Sequence, residues 1–324
     1  MLNRKKVTKK ISWVWFAAAT FCLYGLTNFI LGYIGEASGN NMDASITSVL
    51  LLWTGMGLSG AILLISPVVS FNKIKNSFRQ KTASAGIAAG VTLALGMFTL
   101  KTGFISDPGS KGPIVAIASA NAMFVALATW VFLKEKLTLK QFLGMITILA
   151  GITLISFSSS SSASLLGVVF GISTLLLFGM TNYLLKYAGH KGGESITITT
   201  LLWLSSGSIG VISLLITILS GRGLKGLNSP FLIILSIMTG FILGLGMLTL
   251  KVALKRGPAG PAIAISGSNS VFVLFLDLVV FGHFPHNLKL AGMIIIISGI
   301  IIIAIAKKGG RDPDLSPEAD ERKI

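Results

Sequence analysis

The 324-residue chain is 52% hydrophobic and only 12% charged, with a mean hydropathy of +0.83. Soluble domains carry about 25% charged residues, so lipid must be the solvent for much of this chain. Lys and Arg outnumber Asp and Glu by 27 to 11, a net charge of +16. That balance would suggest nucleic acid in a soluble protein; here the basic residues stand at the ends of apolar runs, which marks membrane topology and argues against a nucleic-acid partner.

Residues 1–10 form a basic N-terminal segment with Arg4, Lys5, Lys6, Lys9 and Lys10. A signal peptide begins in the same way, but the apolar run that follows continues to about Tyr33, too long for a signal, and reads as a retained helix. Apolar runs of about 20 residues, the length a bilayer demands, fall at 11–34, 46–66, 83–105, 112–133 and 138–157, then at 164–188, 195–219, 229–254, 259–282 and 287–306. Lipid offers no partner for backbone donors and acceptors, so these runs should be helices. The expected fold is all-α and integral to the membrane. A Ser-rich linker (158–163) divides it, and the charged tail 307–324 reads as solvated and disordered. The single cysteine, Cys22, allows no intrachain disulfide.

With the N-terminus placed inside, 22 of the 27 Lys and Arg residues fall in segments on the inner side and five fall outside. This bias puts both termini in the cytoplasm and requires an even number of spans.

The second half repeats the first. YGLTNFIL at Tyr24–Leu31 matches FGMTNYLL at Phe178–Leu185. SITSVLLLWTGMGLSG from Ser45 matches SITITTLLWLSSGSIG from Ser195 at 8 of 16 positions. GMFTLK ending at Lys101 matches GMLTLK ending at Lys251, and KGPIVAIASANAMFV from Lys111 matches AGPAIAISGSNSVFV from Ala259. Gly144 and Gly151 fall opposite Gly292 and Gly299. Each half (11–157 and 164–306) holds five spans, and an odd number makes the second copy inverted relative to the first. Inverted repeats are the mark of alternating-access carriers.

Leu133–Ser156, LKEKLTLKQFLGMITILAGITLIS, resembles the hallmark segment of the EamA-type branch of the drug/metabolite transporter superfamily. So does the layout of two five-span halves, each with a helix opened by Gly-Pro and a closing helix with spaced glycines. The resemblance covers about 11–306. His283 stands where the pattern would repeat Glu135, a departure. The resemblance implies a central cavity lined by runs 1–4 and 6–9, with runs 5 and 10 at the periphery. Its substrates would range over amino acids, nucleobases, nucleosides and sugars, so it implies a class and no one substrate.

Candidate residues follow from polarity inside the runs. Asn121 and Asn269 occupy matching mid-span positions and can either contact a polar solute or tie runs 4 and 9 together. Thr27–Asn28 and Thr181–Asn182 are matched polar pairs toward opposite mouths. Trp53 and Trp203 are matched too, as belt anchors or cavity walls, with Tyr24, Tyr183 and Tyr187 as further aromatic surface. Lys101 and Lys251 either snorkel or serve as gate or anion contacts. Asp277, whose repeat partner is Thr129, is the acidic residue well inside a span and a candidate for proton coupling. Gly86–Gly90 and Gly240–Gly244 should allow close helix packing, and Gly112–Pro113 and Gly260–Pro261 open runs 4 and 9. Glu135 reads as an interfacial ion-pair residue that fixes the turn after run 4.

No metal-spaced His/Cys cluster, phosphate loop or nucleophile elbow occurs, so neither a cofactor nor an enzyme is expected. Run 1 lacks an acidic residue, which argues against the cation-for-proton exchange of small multidrug exporters. The leading expectation is a multi-pass secondary carrier in a prokaryotic plasma membrane. It would move a small polar, anionic or amino-acid-like solute, with lipid and a proton as further partners and a homodimer left open. A channel, receptor or scaffold is the alternative.

Overall fold

The computed structural model describes residues 12–39, 42–157, 164–221, 227 and 229–306. The basic N-terminus, the Ser-rich linker and the charged tail lie outside the described residues. Among the described residues thirteen α-helices run in chain order: α1 (Trp13–Ala37), α2 (Met42–Ile65), α3 (Phe71–Arg79), α4 (Thr82–Ser106), α5 (Lys111–Ser119), α6 (Asn121–Leu133), α7 (Leu139–Phe157), α8 (Leu165–His190), α9 (Ser195–Leu219), α10 (Pro230–Arg256), α11 (Ala259–Gly267), α12 (Ser270–Phe281) and α13 (Asn287–Ile305). Among the same residues ten stretches are long and apolar enough to cross a bilayer, with α5–α6 and α11–α12 each making one.

Helix ends follow local chemistry. The Ser12 hydroxyl accepts from the Val14 amide, and the Ser164 hydroxyl from the Gly167 amide, each satisfying a donor of the first turn. Pro230 occupies the start of α10, where its missing N–H costs nothing. α6 stops at Lys134 (φ 53°) and α12 at Gly282 (φ 69°), two left-handed residues at matching positions of the halves. Glycine adopts that conformation freely; lysine pays about 1–2 kcal/mol for it.

Packing between the halves depends on small residues. α7 and α13 run antiparallel along a glycine seam. A Cβ added at Gly144 would meet the Gly299 carbonyl at 2.9 Å, and one at Gly151 would meet that of Gly292 at 2.7 Å. At the α2–α9 crossing a Cβ on Gly57 would come within 2.7 Å of the Gly207 Cα. Gly96 on α4 admits Phe178 of α8, and Gly246 on α10 admits Tyr24 of α1. Exchanging the halves maps the α4–α8 contact onto α10–α1, and maps α2–α9 and α7–α13 onto themselves.

Two expectations from sequence need correcting. Runs 4 and 9 are not continuous helices: each breaks near its middle, at Ala120 and at Ser268–Asn269. Between α2 and α4, where only a loop was expected, residues 71–79 form the short helix α3.

Candidate functional site

The two breaks place the asparagines. At the first, the Asn121 Nδ2 donates to the Ala118 carbonyl at 2.8 Å; at the second, the Asn269 Nδ2 donates to the Ser266 carbonyl at 3.1 Å. Each side chain reaches three residues back to a carbonyl that an unbroken helix would pair internally. Asparagine competes for backbone groups in this way, which is why it favours interruptions. The other end of each amide faces a neighbouring helix. Asn121 Oδ1 accepts from Asn182 Nδ2 on α8 at 3.2 Å, and Asn269 Oδ1 accepts from Asn28 Nδ2 on α1 at 2.8 Å. A direct tie between Asn121 and Asn269, one of the two alternatives from sequence, is not formed; two separate pairs stand instead, one per break. Asn28 is exposed, Asn121 and Asn269 are half-buried, and Asn182 is buried.

The aromatic candidates divide. Trp53 and Trp203 are 3% and 2% exposed and lie in the α2–α9 interface, so neither ring faces open space or a headgroup layer in this conformation. The Tyr24 hydroxyl donates to the Met247 sulfur at 3.0 Å. Tyr183 packs on Tyr187 and on Phe132 at the end of α6. A small void beside both breaks is lined by Ser119, Met123, Met145 and Gly267. The wider groove on α7, lined by Ile146, Leu149 and Phe157, is apolar and faces away from the site.

The two ends of the bundle differ. At the end shared by α6 and α11, Lys186 Nζ pairs with Glu135 Oε1 at 2.9 Å and donates to the carbonyls of Leu254 (2.9 Å) and Gly257 (2.8 Å). Glu135 Oε2 also accepts from the Ala259 amide at 3.2 Å, capping the first turn of α11. The expected ion pair of Glu135 therefore exists, but it joins three helices rather than fixing its own turn. Lys251 is fully buried (0% exposed) and donates to the Leu185 carbonyl. Gly260 of α11 lies against Ala126 of α6. On the surface at this end, Lys73 pairs with Glu194 at 2.9 Å. Burial pushes the Glu194 carboxyl up, and the Lys73 and Thr197 hydrogen bonds outweigh it and leave it below its ordinary value.

At the opposite end the matching residues are apart. Lys101, the repeat partner of Lys251, is half-buried and makes no hydrogen bond among the described residues. Gly32 occupies the position that matches Lys186 and has open space around it. α5 and α12 do not pack as α6 and α11 do, and α4 and α1 do not pack as α10 and α8 do. Asp277 lies one turn from the end of α12, 38% exposed, 3.6 Å from the His283 Nδ1. The Asp107 carboxylate takes hydrogen bonds from Ser110 and Ser164, which hold it below its ordinary value.

Lys186 is the residue that sequence reading passed over: it served only in the charge count, although a lysine inside the run 164–188 calls for a partner in the membrane. Among the described residues no group of His, Cys, Asp and Glu has the geometry of a metal site.

Ten apolar spans among the described residues, around paired polar breaks, mark a multi-pass integral membrane protein. Residues 165–305 match the EamA-like transporter family. The chain is 21% identical over 267 residues to the "Uncharacterized transporter YvbV" of Bacillus subtilis (strain 168), covering 80% of this chain and 83% of that one. A solved crystal structure superposes with a TM-score of 0.70 at 14% identity, covering 90% of this chain and 99% of the other, which supports the fold. These findings support a relation to the EamA-like transporter family, matched over the second half of the chain.

Proposed function

We propose that the protein is a secondary carrier that moves a small polar solute bearing an anionic group by alternating access. In this reading the halves are related by a half-turn in the membrane plane, and both termini face the cytoplasm. The Glu135 end then faces inward and is closed, and the Lys101 end faces outward and is open. The observation that carries the reading is the unequal state of repeat-equivalent residues. Lys251 is sealed against the Leu185 carbonyl, while Lys101 has no partner among the described residues. One packing present twice can be closed in one copy and open in the other, and exchanging the two states gives access from alternate sides.

Asn28, Asn121, Asn182 and Asn269 form the polar centre in this reading. Their amides can exchange partners with a solute that offers both donors and acceptors. α6 and α12 begin at the breaks, so their positive dipole ends lie in the same zone. Lys101 adds an amino group that has no hydrogen-bond partner among the described residues on that side. Tyr24 and Tyr183 flank the centre, and Trp53 and Trp203 support its wall from behind. The half-buried setting of Asp277 beside His283, one turn from the end of α12, fits a contact at the mouth better than a buried proton carrier.

The test is flux into liposomes across a solute panel, with and without a proton gradient. In a Cys22→Ser background, cysteines at positions 28 and 182 should change reactivity in opposite directions when substrate is added. Lys101→Ala or Lys251→Ala should reduce flux at least about tenfold, the loss of one charge-assisted contact. Normal flux in the double variant, or labelling at both positions that ignores every solute carried, overturns the proposal.

A further inference from the structure

The helix α3 has no role in the transport reading, yet it is built for a partner. It spans Phe71–Arg79 between the ends of two membrane-spanning helices, Ile65 of α2 and Thr82 of α4, and so lies at the level of a bilayer surface. Ser70 caps its start and Gln80 its end, and Lys81, with φ 56°, turns the chain into α4. Its orientation is fixed from one side. Ser77 is buried, Val69 just before the helix is buried, and Lys73 reaches Glu194 at the start of α9, where the Thr197 hydroxyl also donates to the carboxylate at 2.8 Å.

That anchoring leaves the neighbouring face of the helix uncovered. By the helical period, Phe71, Ile74 and Phe78 form one stripe, with Lys75 along its edge. Phe71 is 79% exposed and Phe78 is 55% exposed. An apolar stripe on a short polar helix would be costly in water. From 66 to 82 the segment carries Lys73, Lys75, Arg79 and Lys81 and no acidic residue. Aromatic side chains beside lysines on a helix parallel to the membrane are the arrangement that inserts at the acyl boundary and holds anionic headgroups.

We propose that α3 is a binding surface for anionic phospholipid headgroups of the adjacent leaflet. Phe71 and Phe78 enter the acyl boundary and Lys75, backed by the net positive charge of the segment, meets the phosphates, while Lys73 holds the helix to α9. The inference does not depend on what the protein transports or on whether it transports at all.

The experiment needs no substrate. Purified protein with Cys22→Ser and Phe78→Cys, labelled with bimane, is placed in vesicles of phosphatidylcholine alone or with increasing phosphatidylglycerol. Quenching by a nitroxide-bearing lipid is compared with quenching by aqueous iodide, and a label at Asn76→Cys on the opposite face is the reference. Lipid quenching should rise with the phosphatidylglycerol fraction at position 78 while position 76 stays open to iodide. Replacing Lys75 and Arg79 by Gln should weaken the phosphatidylglycerol response by about five-fold per charge. Iodide reaching position 78 as readily as position 76 in anionic vesicles overturns the proposal. So does lipid quenching that ignores both phosphatidylglycerol and the Lys75→Gln/Arg79→Gln change, because the stripe would then insert without headgroup recognition. Protection that appears only at high protein density assigns the face to a second copy of the chain and also overturns it.

Discussion

The two ends of the bundle are built from the same repeated motifs and are in different states. One end has Glu135, Lys186, Lys251 and the first turn of α11 drawn together over the α6–α11 contact. The other has Lys101 without a hydrogen-bond partner among the described residues, and α5 and α12 apart. Under the alternating-access proposal part of this difference is reversible and part is written in the sequence. Lys101 and Lys251 are identical residues, so that proposal lets their unequal environments exchange. Lys186 and Glu135 cannot: their counterparts are Gly32 and His283. The comparison teaches that one end has an ion pair the other cannot form, so closure of the other end, if the carrier proposal holds, needs different contacts.

The largest effect should come from breaking that ion pair. Glu135 and Lys186 are 16% and 14% exposed, so removing one partner strands a charge in a poorly hydrated site. Glu135→Ala should cost about 3–5 kcal/mol, read as a lowered melting temperature in detergent. It should also make a cysteine at Ala126 reactive, because α11 loses its cap. Glu135→Gln keeps the acceptor for the Ala259 amide and should cost less. If Glu135→Ala melts like the parent and position 126 stays protected, the ion pair does not hold this end.

The lysines come next. Lys251→Met removes a buried ammonium and fills similar space, and Lys101→Met does the same at a half-buried position. The former should lower stability by about 1–3 kcal/mol, because the buried Leu185 carbonyl loses its Lys251 donor; the latter should leave the melting temperature unchanged within error. Equal shifts would erase the distinction between the ends.

Much of this was legible in the sequence. Run lengths located all ten spans to within a few residues, because bilayer thickness and backbone pairing leave little freedom. The glycines of α7 and α13 were already aligned across the repeat, and the structure places them in contact. The breaks were hidden because KGPIVAIASANAMFV is apolar enough to read as one helix. What interrupts it is a side-chain hydrogen bond from Asn121 to a carbonyl three residues back. Pairing was hidden for a different reason. Asn121 and Asn269 match in the repeat, but helix crossing decides that they meet Asn182 and Asn28 instead. Glu135 and Lys186 stand 51 residues apart in the chain, and nothing local joins them. α3 could have been found: Phe71, Ile74 and Phe78 have helical spacing, masked by the surrounding charges.

The asparagine pairs offer a finer measurement. Asn121→Ala and Asn182→Ala should each cost about 0.6–2 kcal/mol, and so should Asn28→Ala and Asn269→Ala. In double-mutant cycles the coupling should lie within 121–182 and within 28–269, with near-additivity between 121 and 269. A coupling energy between 121 and 269 above that within the pairs would restore the direct tie between the two broken spans.

The smallest effect tests the open end through pH. The Ser110 and Ser164 hydrogen bonds hold Asp107 below its usual 3.8. A carboxylate with a depressed folded-state value contributes stability that is present above pH 3.8 and is lost as pH falls through the lower folded value. The group is on the surface, so the shift in melting temperature on acidification should be small, and Asp107→Asn should remove it. The same acidification protonates Glu194 and loosens its hold on Lys73 at the closed end, so the two contributions overlap. They separate by residue: Asp107→Asn should flatten only the part that also vanishes in Ser164→Ala, and Glu194→Gln the part that vanishes in Lys73→Met. An acid response untouched by Ser164→Ala would mean that Asp107 ties nothing together at the open end.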